Sequence, residues 1–268
     1  MKKKELIENI EMFLIDLKLK NLSKNTIINY KSDLNDFLMY VENLDDINEY
    51  TIKLYIGELY KRNMAPRSIR RKCACLRQVL KDIFPEFKIK VDKFLPEVLT
   101  DEEIIKIQSV IKDRREWIIF NVLLTTGMRI SEFSEMNTND IKPKIKIKGK
   151  GNKERMIYLV EKLYTELKDI SKDNNPLVQN IEGFRLSQVS IRKILTDIVK
   201  RAGIDKKVTP HTLRRTFATR MIQNGVDIKT VQNLLGHESL ETTSLYLILA
   251  DFRTEDEVRK KGKWENLI

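Results

Sequence analysis

The sequence predicts a two-domain, mainly α-helical protein with one small β-sheet. Three observations predict it. The 268 residues are enough to bury two separate cores. Apolar residues recur at helical spacing along most of the chain. One stretch, PKIKIKGKGNKERMIYLV at 143–160, instead alternates with a period of two on either side of a glycine-containing turn.

Leu6, Ile10, Phe13, Leu14 and Leu17 mark the apolar face of a first helix. After a break with Ser23 as N-cap, Ile27, Tyr30, Leu34, Phe37, Leu38 and Val41 mark a second. A third runs from about Thr51 to Arg62. A fourth begins at Pro66, whose missing N–H costs nothing in a first turn, and turns Ile69, Cys73, Leu76, Leu80 and Ile83 inward. Its outer face carries Arg67, Arg70, Arg71, Arg77 and Lys81.

The boundary between domains is expected near residues 86–97, where two extended patches and Pro96 interrupt the helical pattern. This gives a helical domain over 1–88, a linker over 89–99 and a second domain over 100–268. Thr100 and Glu103 form a capping box that opens the second domain's first helix. Ile145 and Ile147 alternate with lysines, the chain turns through Gly149 and Gly151, and an apolar strand returns: a β-hairpin with a lysine-rich tip. Further helices are expected around 161–171, 187–202 (ending at Gly203), 211–223, 227–235 and 241–249. There is no internal repeat and no low-complexity tract.

Lys and Arg number 50 against 39 Asp and Glu, a formal charge of +11, which draws the chain to a polyanion. Nucleic acid is the leading candidate, and the basic face of the fourth helix is its expected contact in the first domain. A membrane is disfavoured, because no stretch approaches the ~20 apolar residues of a spanning helix. The start MKKKELIENIEMF turns acidic and amphipathic rather than into a signal core. A soluble, cytoplasmic protein fits. Cys73 and Cys75 stand two apart in a helix, point in different directions and read as packing residues. No Cys/His spacing suggests zinc and no glycine-rich phosphate loop is present, so phosphate chemistry here must use side chains, with no cofactor.

Four short stretches then need one explanation. They are TTGMRISE with Arg129, KGKGNKER with Lys150 and Lys153, HTLRRTFAT with His211 and Arg214, and LLGHESLETTSLY with His237 and Tyr246. Any one of these residues alone reads as a surface, capping or core residue; the ordered set does not. Together they resemble the tyrosine recombinase (phage integrase) family, in particular its compact Xer-like members. The family pattern is an Arg in a T-G-x-R-x-S-E turn, a Lys at a β-hairpin tip, H-x-x-R, then G-H followed nine residues later by a nucleophilic Tyr. The first domain shares only the four-helix, basic character of the family's core-binding domain. One departure is that the stretch after Asp140 is a few residues shorter than the resemblance implies, so a first hairpin strand shorter than in Xer-like relatives is expected.

The chemistry suits these residue types. A phosphodiester attacked in line gains charge on its non-bridging oxygens, and fixed guanidinium forks such as Arg129 and Arg214 meet that charge bidentately at any relevant pH. A tyrosine ionises near pH 10 in water, so Tyr246 needs neighbouring cations and a base, for which His211 is suitable. The leaving 5′-oxygen needs a proton. The resemblance gives that task to Lys150, with Lys153 as the alternative three residues along the loop, and implies that His237 holds the scissile phosphate. Glu132 reads as structural, bracing Arg129.

The resemblance implies a two-domain clamp around double-stranded DNA and site-specific strand exchange through a 3′-phosphotyrosyl intermediate. The role would be integration or excision of a mobile element, or chromosome-dimer resolution. It also implies a homo-oligomer on DNA, a tetramer at synapsis. Two rivals share some of these features: a type IB topoisomerase, which rejoins the same strand, and an architectural DNA-binding protein with a vestigial site. The last 22 residues after Tyr246 carry Val258, Trp264, Leu267 and Ile268 on a charged background. They either fold onto their own domain or, as the resemblance suggests, dock into a neighbouring protomer.

Overall fold

A computed structural model describes residues 1–20, 22, 24–91, 97–148, 154–170 and 174–236. Ser23 as N-cap, the helix expected at 241–249 and the C-terminal segment lie outside these residues. The chain divides into two compact units, Met1–Lys93 and Phe94–Ile268.

The first unit consists of α1 (Lys3–Leu19), α2 (Lys24–Tyr40), α3 (Glu49–Lys61) and α4 (Pro66–Val79). Each turns its apolar stripe to one core that includes Leu6, Leu34, Phe37, Tyr55, Leu59, Ile69 and Leu76, all fully buried. Asn48 caps α3 by accepting from the Thr51 N–H, and Pro66 opens α4. Helix α4 stops at Val79, so Ile83 packs against the core from the turn that follows rather than from the helix. Both cysteines are buried and unbridged, and burial pushes the Cys73 thiol up to about 11 and the Cys75 thiol up to about 12.

Charge also joins α2 to α4. Buried Lys72 donates to Asp36 (2.8 Å) and lies 3.3 Å from buried Asp33, while the Tyr55 hydroxyl donates to Asp36 (2.7 Å). Burial favours the neutral acid at Asp36, but the bonds from Lys72 and Tyr55 outweigh it and hold the carboxyl below its ordinary value. Arg67, Arg70, Arg71 and Arg77 are exposed on α4, as the helical pattern predicts, whereas Lys81, expected on the same face, is exposed in the turn after the helix ends. Arg71 is nonetheless committed in part, since its guanidinium bonds to Asp33. Arg77 lies over the Phe84 ring at 5.0 Å.

The second unit runs α5 (Asp101–Ser109), α6 (Arg114–Thr126), α7 (Ile130–Glu135), β1 (Lys144–Lys148), β2 (Glu154–Tyr158), α8 (Glu161–Leu167), α9 (Gln188–Arg201), α10 (Pro210–Gln223) and α11 (Ile228–Leu235). The Thr100 hydroxyl accepts from the Glu103 N–H, and the Glu103 carboxylate accepts from the Thr100 N–H. Helix α6 is buried without a break from Ile118 to Leu124 and lies at the centre, against α9 and α10. Its core partners include Phe133, Ile191, Leu195, Ile198 and Leu213.

Strands β1 and β2 pair antiparallel, with Ile145 opposite Ile157 and Ile147 opposite Arg155. All five residues of β1 pair one to one with the five of β2, and a 3-10 turn at Thr138–Asp140 precedes the hairpin. A small satellite core of Ala218, Val231 and Leu235 fixes α11 against α10.

Candidate active site

The site is assembled where α6 ends, α10 begins and α11 ends. Thr209 caps α10, its side chain accepting from the Thr212 N–H, and Pro210 occupies the first turn. His211 and Arg214 follow three apart on one helical face. His211 is exposed and Arg214 is buried, at 3% of its accessible surface. A buried guanidinium must have its donors satisfied, and Arg214 gives Nη1 to the Gly127 carbonyl (2.6 Å) and Nη2 to the Leu235 carbonyl (2.5 Å).

Gly127 ends α6 in the left-handed region (φ +62°). A Cβ there would sit 2.5 Å from Phe217 Cδ1 and 3.0 Å from Leu235 Cδ2, so both backbone conformation and space require glycine. The turn delivers Arg129 as N-cap of α7. Glu132 braces it from one turn along: Oε2 accepts from the Arg129 backbone N–H (2.8 Å) and Oε1 accepts from Arg129 Nη1 (3.0 Å). Arg129 Nη2 donates to the Gly236 carbonyl (2.9 Å).

The end of α11 is where these side chains meet. Three successive carbonyls, those of Leu234, Leu235 and Gly236, accept from Arg155 Nε (2.9 Å), Arg214 Nη2 (2.5 Å) and Arg129 Nη2 (2.9 Å). A helix C-terminus exposes unpaired carbonyls carrying partial negative charge, and here three guanidiniums from three different elements meet them. Gly236, left-handed at φ +64°, then turns the chain out of α11 toward His237.

Positive charge dominates the surroundings of His211. Partial burial, and then the charges of Arg214, Arg215, Arg129 and Arg192, hold its imidazole below the ordinary value of 6.5. A neutral imidazole near pH 7 can accept a proton. Burial would raise the Glu132 carboxyl, but the bonds from Arg155 and from the Arg129 amide and guanidinium outweigh it and hold the carboxyl below its usual range. Glu132 is thus an anion between two cations.

Of the residues singled out by sequence, Arg129, His211 and Arg214 are brought together. Lys150, Lys153, His237 and Tyr246 lie outside the described residues, and the basic positions on α4 belong to the other unit. Sequence reasoning missed Arg155. Its side chain is 7% exposed and pairs with Glu132 through both terminal nitrogens, Nη1 to Oε1 (2.7 Å) and Nη2 to Oε2 (2.5 Å). The signal was available: strand alternation puts position 155 on the same face as buried Ile157.

Comparison with known proteins follows the same two-unit division. Residues 97–252 match the model of the phage integrase family, and residues 10–82 match its N-terminal SAM-like domain. The chain belongs to the phage integrase family. This recombinase is 31% identical to tyrosine recombinase XerC of Syntrophus aciditrophicus (strain SB), covering 90% of the chain and 92% of that relative. It is 33% identical to tyrosine recombinase XerD of Staphylococcus haemolyticus (strain JCSC1435), covering 85% and 88%. Among solved structures it resembles the XerH site-specific recombinase bound to difH substrate in a pre-cleavage complex (TM-score 0.69, 25% identity, covering 88% and 79%). The protein is accordingly a tyrosine recombinase that breaks and rejoins DNA at specific sites. The topoisomerase and architectural readings are not favoured by these relatives.

Proposed function

We propose that Tyr246 attacks the scissile phosphorus while Arg129 and Arg214 hold the non-bridging oxygens, His211 takes the tyrosine proton, and Lys150 protonates the departing 5′-oxygen. His237 adds a hydrogen bond to the phosphate. One P–O bond forms as the P–O5′ bond breaks, leaving a 3′-phosphotyrosyl link and a free 5′-hydroxyl. The link keeps the phosphodiester's energy, so the 5′-hydroxyl of another strand reverses the step without ATP.

The observation that carries this reading is the meeting of Arg129 and Arg214 at adjacent carbonyls, Gly236 and Leu235, at the point where the chain runs on to His237 and, nine residues later, Tyr246. Two forks side by side are suited to a phosphate bearing two non-bridging oxygens. Exchange between two duplexes cuts four strands, and one nucleophile per strand calls for four protomers at synapsis. Residues 1–88 and 100–268, joined by a linker over 89–99, close as a clamp on the duplex, with Arg67, Arg70, Arg77 and Lys81, and Lys153 from the hairpin, on the phosphate backbone. Arg71 contributes only what its bond to Asp33 leaves. The protein acts in the cytoplasm, in chromosome-dimer resolution or in movement of a mobile element.

Covalent capture tests the chemistry. The protein is incubated with a library of nicked duplexes, denatured, and the attached DNA sequenced, which also yields its substrate. Wild-type protein is expected to be captured through Tyr246 by peptide mapping, and Tyr246→Phe to bind the selected site without any adduct. An adduct on another residue overturns the nucleophile assignment.

A further inference from the structure

We infer that Arg155 is a positioning residue for cleavage: through Glu132 it sets Arg129, and through the Leu234 carbonyl it fixes the last turn of α11, from which the chain enters His237. This rests on the roles given above to Arg129 and His237.

The first ground is where the charge lies. On the inner face of the hairpin, Ile145 and Ile157 are buried as expected, whereas Arg155, opposite Ile147, puts a guanidinium where an apolar side chain would pack. Its partner Glu132 is equally enclosed, at 9% side-chain exposure. A buried ion pair pays desolvation on both sides, and an apolar pair of similar volume often serves stability as well or better. Stability alone is therefore a poor reason for this pair.

The second ground is how the bonds are shared. All three guanidinium nitrogens of Arg155 are used, two on Glu132 and Nε on Leu234. Each Glu132 oxygen accepts twice, once from Arg155 and once from Arg129. Because Arg155 takes up half of the carboxylate, Arg129 is left with a single guanidinium contact to it and presents Nη2 to the Gly236 carbonyl. Without Arg155 the carboxylate's open positions would draw the Arg129 fork into a two-point pair with Glu132, away from the phosphate. The Arg155 stem also lies against Gly236, where an added Cβ would meet Cδ at 3.0 Å. One side chain thus touches both the brace of Arg129 and the approach to His237.

The geometry further ties the hairpin to the site. Arg155 lies five residues after Lys150 and two after Lys153 in the sequence, so the strand leaving the lysine loop is anchored to the α11 end. Lysine cannot replace this: it is a point charge that cannot serve Glu132 at two points and Leu234 at a third.

The test uses full-length protein and the duplex selected by covalent capture. Arg155→Lys is expected to stay folded at the assay temperature, with a lowered melting temperature, and to keep its binding to that duplex, while its single-turnover cleavage at saturating protein falls on the order of 100-fold, as misplaced catalytic groups do. A 5′-bridging phosphorothiolate substrate should not restore it, because the defect lies at the phosphate clamp rather than at the general acid. Glu132→Gln should lose cleavage similarly, and the double variant should be no slower than the slower single one. Wild-type cleavage by Arg155→Lys, rescue by the sulfur substrate, or additive losses in the double variant would each overturn the inference. If Arg155→Lys does not fold, Glu132→Gln decides alone: unimpaired cleavage overturns the inference, and impaired cleavage unrelieved by sulfur supports it. Arg129→Ala is the control, since its undiminished cleavage would instead overturn the phosphate-clamp reading.

Discussion

At the scale of single residues, the proposed chemistry divides the site into groups that would meet the phosphate and groups that hold them in place. Arg214 is buried with both terminal nitrogens on backbone carbonyls, while the accessible imidazole of His211, three positions away, is held below its ordinary pKa by partial desolvation and then by the charges of the arginines around it. Glu132 is an anion at neutral pH because its bonds outweigh burial. Its folded value lies below the ordinary 4.5, so its contribution to stability is complete above that value and is lost as the pH falls through the folded value. The melting-temperature gap between wild type and Glu132→Gln should therefore be widest at neutral pH and narrow in acid. A gap unchanged by acid, followed by calorimetry, would contradict the ionised pair. For the general acid, Lys150→Ala should cleave slowly on normal DNA and be strongly rescued by a 5′-bridging sulfur, a leaving group that barely needs a proton. Rescue of Lys153→Ala instead, with Lys150→Ala near normal, moves the acid along the loop.

At the scale of elements, the helix ends define the site. The glycine closing α6 accepts Arg214 on its carbonyl and admits no side chain, so Gly127→Ala should lower stability by about 1–3 kcal/mol through strain at positive φ, with a further loss where its methyl meets Phe217. Cleavage should fall as well, because the acceptor that orients Arg214 shifts. Thermal unfolding beside single-turnover cleavage checks both, and an unchanged melting temperature would contradict the packing. Most elements were legible from sequence because periodicity and caps are local: Thr100 with Glu103, Pro66 and the Ile145/Ile147 alternation each announce themselves within a few residues. The motifs likewise pointed to Arg129, His211 and Arg214. The pairing of Arg155 with Glu132 was not legible, because it spans 23 residues and an arginine beside a lysine-rich turn reads as solvated charge. The bond from Arg71 to Asp33, across 38 residues, was hidden for the same reason. Long-range polar partners leave no period in a sequence.

At the scale of the whole molecule, a recombinase must not only cut but cut in company, since a lone phosphotyrosyl link is a nick held by protein. The segment DFRTEDEVRKKGKWENLI begins five residues after Tyr246 and carries none of the motif residues. Its apolar side chains, Phe252, Val258, Trp264, Leu267 and Ile268, are few against many charges, a composition suited to inserting an anchor into a partner's pocket rather than to building a core. A segment tethered this close to the nucleophile would make Tyr246 sensitive to whether the neighbour is present. Truncation after Thr254 is therefore expected to leave binding to one site largely intact while cooperative assembly on two sites and strand exchange both fall. Native gel shifts on one-site and two-site duplexes, with a recombination assay on the same preparations, measure the two effects separately. A well-folded truncation with full cooperativity and full exchange would assign the segment to its own domain, and the coupling of cleavage to assembly would then have to be carried elsewhere in the chain.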